Sequence, residues 1–276
     1  MYEEFLNMDE TKILLLPERD WLIIDKILKE KQLYPIPKAV GRKPATRSNI
    51  FLYLSGLYYI CKTSTQWKYL PPYYGNFNTV FKYINIFKNN GVFQEFHNQA
   101  LCQYNEYIGI DWHLQLLDAS VVEAWNVNDA KGYSYKIKGK NATKRSFISD
   151  KNGIPLGFIC SSGNVHDQVM VKDTINQIKD IKPNKTHKIA LDAGYDSKDC
   201  REFLLRNNYS PYIPKRKNST RERIKFDKHL PGREKIETMF SWLNSFKRIK
   251  LRVEKTVKAY SSYLSFVCGN MILQKM

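Results

Sequence analysis

Cysteine pairs are missing from this chain. Its 5 cysteines, Cys61, Cys102, Cys160, Cys200 and Cys268, are odd in number and none stands in a C-x-x-C pair. A disulfide framework and a zinc knuckle are therefore both excluded. The 5 histidines are equally scattered. No run approaches the roughly 18 consecutive apolar residues that a membrane span requires, so no membrane partner is expected. The opening "MYEEFLNMDETK" is acidic rather than signal-like, which leads us to expect a soluble protein of a reducing compartment. Internal repeats and low-complexity tracts are absent too.

Acidic residues are also short in supply. Against 27 Asp and Glu stand 44 Lys and Arg, a formal net charge of +17. Self-repulsion of that size is normally tolerated because a polyanion offsets it, and nucleic acid is the commonest such partner. A generic basic surface is the plainer alternative. Hydrophobic residues make up 43% of the 276 positions, enough for a packed core and against global disorder. The length suits one large domain, or a catalytic domain with a smaller helical one.

Residues 1 to about 107 read as mostly helical. "PERDWLIIDKILKE" sets Trp21, Ile24, Ile27 and Leu28 at helical spacing after a proline start. A loop with Pro35, Pro37, Gly41 and Pro44 follows. "TRSNIFLYLSGLYYICKT" and "NFNTVFKYINIFKNNG" predict two more helices, the second stopped by Gly91. Between them "TQWKYLPPYYGNF" is a compact turn in which Gln66 and Trp67 fix the chain. From about residue 110 the period changes. "HLQLLDAS", "RSFISD" and "IPLGFICSS" read as strands, with Asn152-Gly153 turning between the second and third. "DQVMVKDTINQIKD" is a helix, "HKIALDAG" a strand, "SKDCREFLLRNN" a helix with Ser197 as N-cap, and "PYIP" a short fifth strand. The last part is helical again. The order describes a mixed sheet covered by helices.

Two strands end alike. "LQLLDAS" sets Asp118 after an apolar run, and "KIALDAG" does the same with Asp192. Ligand sites in open α/β sheets gather outside the carboxyl ends of strands, so neighbouring strands would bring these acids together. Two like charges call for a cation, and carboxylate oxygens suit a hard one. A third acid comes from "GREKIETMFSWLNSFKRI". As a helix its apolar stripe is Ile236, Met239, Phe240, Leu243 and Phe246. A polar stripe beside it holds Arg233, Glu237, Ser241, Asn244 and Arg248. A helix packed on the sheet could aim Glu237 at the strand tips, with Arg233 one turn earlier holding its carboxylate or contacting phosphate. A solvated glutamate near a helix start is the plainer reading.

These motifs together resemble the DDE transposases of the insertion sequence five family. "TSTQWKYLPPYYGNFNTVFKYINIFKNNGVF" is similar to the family's N-terminal module. "LLDAS", "GNVHD", "LDAGYDS", "PYIPKR" and "REKIETMFSWLNSFKRI" resemble, in order, the first-Asp strand, the turn after the third strand, the second-Asp strand, the fifth strand and the Glu helix. The resemblance covers nearly the whole chain. It implies an α/β, ribonuclease-H-like mixed sheet flanked by helices in a catalytic domain over 109–276, with an all-helical N-terminal domain over 1–108. Asp118, Asp192 and Glu237 match the three catalytic acids, and Arg233 the arginine of the family's Tyr, Arg, Glu, Lys signature. Leu230 stands where that signature has Tyr and Asn244 where it has Lys, changes that bear on how the terminal DNA strand is gripped.

The resemblance further implies a metal-dependent DNA endonuclease and strand transferase. Asp118, Asp192 and Glu237 would hold two divalent metal ions, magnesium being expected and manganese able to substitute. Asp118 would bridge both. Water cuts at the element's end, and the freed 3′-hydroxyl then attacks target DNA. Double-stranded DNA, as terminal inverted repeats and as target, is the partner, bound by a homodimer. In a bacterium the protein would be cytoplasmic and nucleoid-associated. Lys215, Arg216, Lys217, Lys247 and Arg248, with Arg233, are the candidate DNA contacts, and five more basic residues in "KIKGKNATKR" flank the site. His166 and Asp167 either support the site or form a structural turn, and Trp242 is read as packing surface. The N-terminal helices either read the terminal repeats, like helix-turn-helix modules, or serve packing and dimerisation. Two rival activities remain at this point: a domesticated, non-cutting DNA-binding protein, and a ribonuclease-H-like nuclease that cuts without joining.

Overall fold

A computed structural model describes residues 13–34, 45–216 and 232–276. The loop with Pro35, Pro37, Gly41 and Pro44 lies outside them, as do Lys217, Arg221, Arg223, Lys225, Lys228 and Leu230. The chain divides into two compact units. One comprises residues up to Glu106 with Ser245–Ile249 and Ser262–Met276; the other comprises Tyr107–Asn244 and Lys250–Ser261.

In the first unit, α1 (Glu18–Glu30) starts at Pro17, whose missing N–H costs nothing at a helix start. Helix α2 (Arg47–Thr63) opens with a capping box, the Thr46 hydroxyl accepting from the Asn49 amide while the Asn49 side chain accepts from the Thr46 amide. Two 3₁₀ turns, Trp67–Tyr69 and Pro72–Tyr74, make up the aromatic connection. Trp67 meets Phe81 edge-on at 5.2 Å, which holds that turn against α3 (Phe77–Asn89). Gly91, at φ 69°, breaks the chain before α4 (Val92–Tyr107), a helix whose start the sequence did not mark with a cap. Trp21, Ile24, Ile27 and Leu28 are all buried, as their spacing predicts.

The C-terminal helix explains why the two chain ends share a unit. From Leu264 to Leu273 almost every residue is buried, so this stretch requires apolar partners on all sides. Phe266 lies edge-on to Phe93 at 5.5 Å and tilted on Phe96 at 5.9 Å. Gly269 lets the Phe96 ring approach; a Cβ there would fall 2.5 Å from the ring. The Asn270 amide donates to the buried Asp20 carboxyl at 2.6 Å. Burial nonetheless pushes Asp20 up to about 7.

The second unit is built on a sheet of strands β1 (Leu114–Ala124), β2 (Gly132–Ser134), β3 (Lys140–Asp150), β4 (Pro155–Ser162), β5 (His187–Ala190), β6 (Tyr209–Tyr212) and β7 (Leu251–Arg252). The main order is β4-β3-β1-β5-β6. The first three pair antiparallel, while β5 and β6 run parallel to β1. This is the ribonuclease-H-like arrangement. Helix α5 (Asp167–Asn176) links β4 to β5, and α6 (Lys198–Arg206) links β5 to β6 with the Ser197 hydroxyl as N-cap. Helix α7 (Glu234–Ser245) follows, then a four-residue turn α8 (Lys247–Lys250), β7, and α9 (Val257–Leu273).

Opposed residues of an antiparallel pair share a face. Asp118 opposes Phe147, and Ser120 opposes Arg145, so all four line one face of β1 and β3. Phe240 of α7 meets Phe147 there at 5.7 Å, edge to face. Ala119 opposes Ser146 on the other face, where the Ser146 hydroxyl accepts from Thr174 of α5 at 2.8 Å. Helices thus cover both faces.

Three expectations change here. Strand β1 does not end at Asp118 but continues to Ala124, held by a long antiparallel ladder with β3. Strand β2 was not foreseen; a three-residue strand carries too little pattern to see. The helix read as one over residues 232–249 stops at Ser245, so Arg248 falls out of its polar stripe.

Candidate active site

The register of β1 and β5 sets the two aspartates. Leu116 is level with Ala190, the last residue of β5; Asp118 lies two residues further along β1, and Asp192 two residues past the end of β5 in extended backbone, near enough for its charge to act on Asp118. Each carboxylate is partly tied by backbone. The Ala119 amide donates to Asp118 Oδ1 at 2.7 Å, and the Gly194 amide to Asp192 Oδ1 at 2.6 Å. Asp192 thereby caps the 3₁₀ turn Ala193–Tyr195 as well as facing the site. Gly194 fits this cap because a Cβ would sit 2.8 Å from the same oxygen.

Burial pushes the Asp118 carboxyl up to about 6, against the pull of the Ala119 amide; the charge of Asp192 adds to the rise, while Arg233 and Lys136 oppose it. A half-buried carboxyl near a second one suits a cation, and the donors here are all hard oxygens. Arg233 Nη2 stands 3.7 Å from Asp118 Oδ2.

Helix α7 lies along this face. Its start meets Asp118 through Arg233, and near its end Asn244 accepts from the Arg145 guanidinium at 2.8 Å. Arg145 in turn donates to Ser120 at 2.8 Å. Glu237 lies between Arg233 and Asn244 on the same stripe, and its side chain is solvent-exposed. Among the described residues no three His, Cys, Asp or Glu stand together at metal-ligating separation. The structure therefore brings Asp118 and Asp192 together and leaves Glu237 on the adjoining helix face, outside a closed three-acid group. Like charges repel at such spacing, and the arginine one turn earlier is what faces Asp118.

Behind the two aspartates lies a layer that motif reading largely missed. Lys144 reaches Asp167 Oδ1 at 2.6 Å and also donates to the Val165 carbonyl. Lys136 approaches the other Asp167 oxygen at 3.8 Å. The Tyr195 hydroxyl is fully buried and has no hydrogen-bond partner among the described residues. Burial, and then the charges of Asp118, Asp167 and Asp192, push its phenol well above the usual range. The apolar cue for Tyr195 was its place in "DAGY"; no spacing rule gives its orientation.

The basic candidates sort by partner. Arg216 donates to the Ala193 carbonyl at 3.0 Å and to the Gly194 carbonyl at 2.5 Å, bracing the loop after Asp192. Lys215 is half-buried and Lys247 exposed, whereas Arg248 is only 8% exposed, so its guanidinium is no open phosphate contact. Of the five basic residues in "KIKGKNATKR", Lys136, Lys138 and Lys140 are exposed. Lys144 and Arg145 are buried and internally paired, because β3 begins earlier than its apolar run suggested. Lys217 lies outside the described residues.

Residues 114–261, a little over half the chain, match the family described as the Transposase DDE domain. A Burkholderia cepacia protein named as a transposase for insertion sequence element IS402 is 27% identical over 141 residues, covering 48% of this chain and 63% of that protein. A Brucella ovis protein named as a transposase for element IS6501 is 29% identical over 134 residues, covering 48% of this chain and 98% of that protein. Among solved structures, the piggyBac transposase in its synaptic complex with hairpin DNA aligns over 96% of this chain and 74% of its own, at 11% identity and a TM-score of 0.47. No helix among the described residues is long and apolar enough to cross a membrane. With Asp118 and Asp192 both inside the segment that carries the match, the chain belongs to the Transposase DDE domain family.

Proposed function

We propose that this protein is a DNA transposase that cleaves the ends of its insertion sequence and joins the freed 3′-hydroxyl to target DNA. The observation that supports this reading is the nearness of Asp118 to Asp192 past the ends of the paired β1–β5 segment, with Arg233 at the start of α7 against Asp118 and Glu237 on that helix. Family membership implies use of a divalent metal. Asp118, Asp192 and Glu237 are the residues that would hold it, as two ions, with magnesium the natural choice for an all-oxygen set. When bound, such a pair supplies positive charge to the attacking and leaving oxygens of an in-line phosphoryl displacement.

The chain's own groups do the rest. The amides of Ala119 and Gly194 fix one oxygen of each aspartate, and the second oxygen of Asp118 is the one Arg233 approaches. Tyr195, fully buried, stands near enough to both aspartates to feel their charge. Arg233 offsets the charge of Asp118 and is placed to meet a phosphate oxygen once Asp118 turns to a cation. The exposed Lys136, Lys138 and Lys247, with the half-buried Lys215, provide positive potential for a DNA backbone, and the net charge of +17 suits a polyanionic substrate. Pairing two element ends calls for a homodimer on DNA, and in a bacterial cell the work would be done at the nucleoid.

The test is a supercoiled plasmid bearing the repeats that flank the coding sequence, incubated with purified protein and magnesium. Nicks at the repeat ends followed by joined products are expected, and Asp192→Ala should abolish both. Cleavage unchanged in Asp192→Ala would sink the reading. Cleavage without joined product would leave a nuclease, and binding without cleavage a DNA-binding protein only.

A further inference from the structure

Between Asp129 and Asp150 the chain contains no acidic residue. Within this stretch β2 and the start of β3 form a tight hairpin, closed by the pairing of Ser134 with Lys140. Its five-residue tip is well defined. The Lys138 amide donates to the Tyr135 carbonyl at 3.2 Å and the Gly139 amide to the Ser134 carbonyl at 3.0 Å. Lys138 and Gly139 take φ of 56° and 73°, the left-handed pair that reverses a hairpin.

The base of the hairpin is clamped. The buried Arg252 guanidinium donates to the Asp129 and Ala130 carbonyls, and Thr143 donates to Ala130 at 2.8 Å. Gly132 runs so close to the turn of "GNVHD" that a Cβ would fall 2.1 Å from Asn164 Oδ1. The mount is rigid, yet it presents side chains that folding does not use. Tyr135 is 99% exposed and Tyr133 72%. Around them Lys131, Lys136, Lys138 and Lys140 are exposed. Lys140 pairs with Glu123 at 2.9 Å, but Lys138 has no carboxylate partner among the described residues. The tip stands at the rim of the site, since Lys136, next to Tyr135, approaches Asp167 at 3.8 Å and its charge reaches Asp118.

Exposed rings interleaved with lysines are how proteins hold unstacked nucleic acid: rings stack on bases and ammonium groups meet phosphates. A protein partner fits poorly, because two rings set among four exposed lysines form no contiguous apolar patch. We infer that the Tyr135 ring stacks on an unpaired DNA base beside the phosphate being cut, with Lys138 on the adjoining backbone. This deepens the transposase reading and rests on it: the hairpin would hold open the DNA end that the aspartates act on.

The experiment measures binding of the full chain to fluorescent DNA. One probe is a duplex with a short unpaired 3′ overhang, a second carries a 5′ overhang, and a third is the same duplex fully paired. Wild type should prefer one overhang by about tenfold, in line with one stacked base, and the preferred polarity identifies the strand. Tyr135→Ala should erase that preference while changing paired-duplex binding less than twofold. Tyr135→Phe should retain it. Lys138→Gln should weaken all probes and lower the log–log salt slope by about one. A preference intact in Tyr135→Ala, or absent from wild type, overturns the inference while leaving the transposase reading standing. Wild type that binds no DNA overturns both. The full exposure of Tyr135 makes loss of folding no explanation for any of these outcomes.

Discussion

The guanidinium of Arg233 stands 3.7 Å from the carboxylate of Asp118, joining the residue just before α7 to the middle of β1. Arg233 is thus the counter-charge of a half-buried acid, and Glu237 follows it by one helical turn. Removing the arginine should push the Asp118 carboxyl still higher, because only Lys136 and the Ala119 amide would then oppose its burial. In Arg233→Ala the acid limb of the cleavage–pH profile should move to higher pH, with activity reduced tenfold or more at pH 7. Arg233→Lys should shift the limb less. An unmoved limb would show that the two groups do not communicate.

Asp118 itself bears on stability. Its carboxyl in the folded protein titrates at about 6, above the ordinary 3.8. The folded state therefore holds a proton that the unfolded state has released between these values, and stability falls as pH rises through that window. Above about pH 6 the ionised carboxylate carries a constant penalty. Asp118→Asn should abolish cleavage yet stabilise the metal-free protein at pH 7–8 by about 1–3 kcal/mol, an upper range because Arg233 recovers part of the penalty. Near pH 4 the two proteins should melt together. Thermal unfolding in a chelator at both pH values checks this.

Asp20 makes the same kind of statement about the helical unit. Burial raises it to about 7, with Asn270 donating to it. Its contribution is fully present at low pH and lost as pH rises from about 4 through about 7. Asp20→Asn should flatten the loss of thermal stability between pH 5 and 8 that wild type shows. A wild-type midpoint that rises over this range would contradict the assignment.

The "GNVHD" turn should tolerate no side chain at its glycine. A Cβ on Gly163 would lie 2.5 Å from that of Ala142 and 2.8 Å from the Gly132 carbonyl. Gly163→Ala should cost about 1–3 kcal/mol by overpacking, measured by urea unfolding. The double change Gly163→Ala with Ala142→Gly should restore part of the loss.

Sequence and structure part company in a physically consistent way. Periodicity located the helix from Glu18 to Glu30 and the apolar strand leading to Asp192, since both depend on burying one face. Asp118 and Asp192 stood out because each closes an apolar run, and Glu237 because it lies on the polar stripe of a patterned helix. Contacts between residues distant in the chain leave no such pattern. Nothing in "KGKNATKR" says that Lys144 and Arg145 turn inward, because their partners Asp167 and Asn244 lie 23 and 99 residues further on. Arg248 matched the polar stripe only as long as the helix was unbroken. Tyr135 went unremarked because exposure is a tertiary property, and a tyrosine on a hairpin looks the same in sequence whether it packs or projects.

The central claim is that Asp118, Asp192 and Glu237 together hold a divalent cation. Calorimetric titration of manganese into the full chain at pH 7.5 tests it without needing the element's DNA. Wild type should bind, and Asp118→Asn, Asp192→Asn and Glu237→Gln should each weaken the affinity at least tenfold. Below about pH 6 the wild-type affinity should fall as the Asp118 carboxyl takes up its proton. Manganese binding unchanged in Glu237→Gln, with Asp118→Asn and Asp192→Asn both weakened, would contradict the three-acid site and leave a two-acid one.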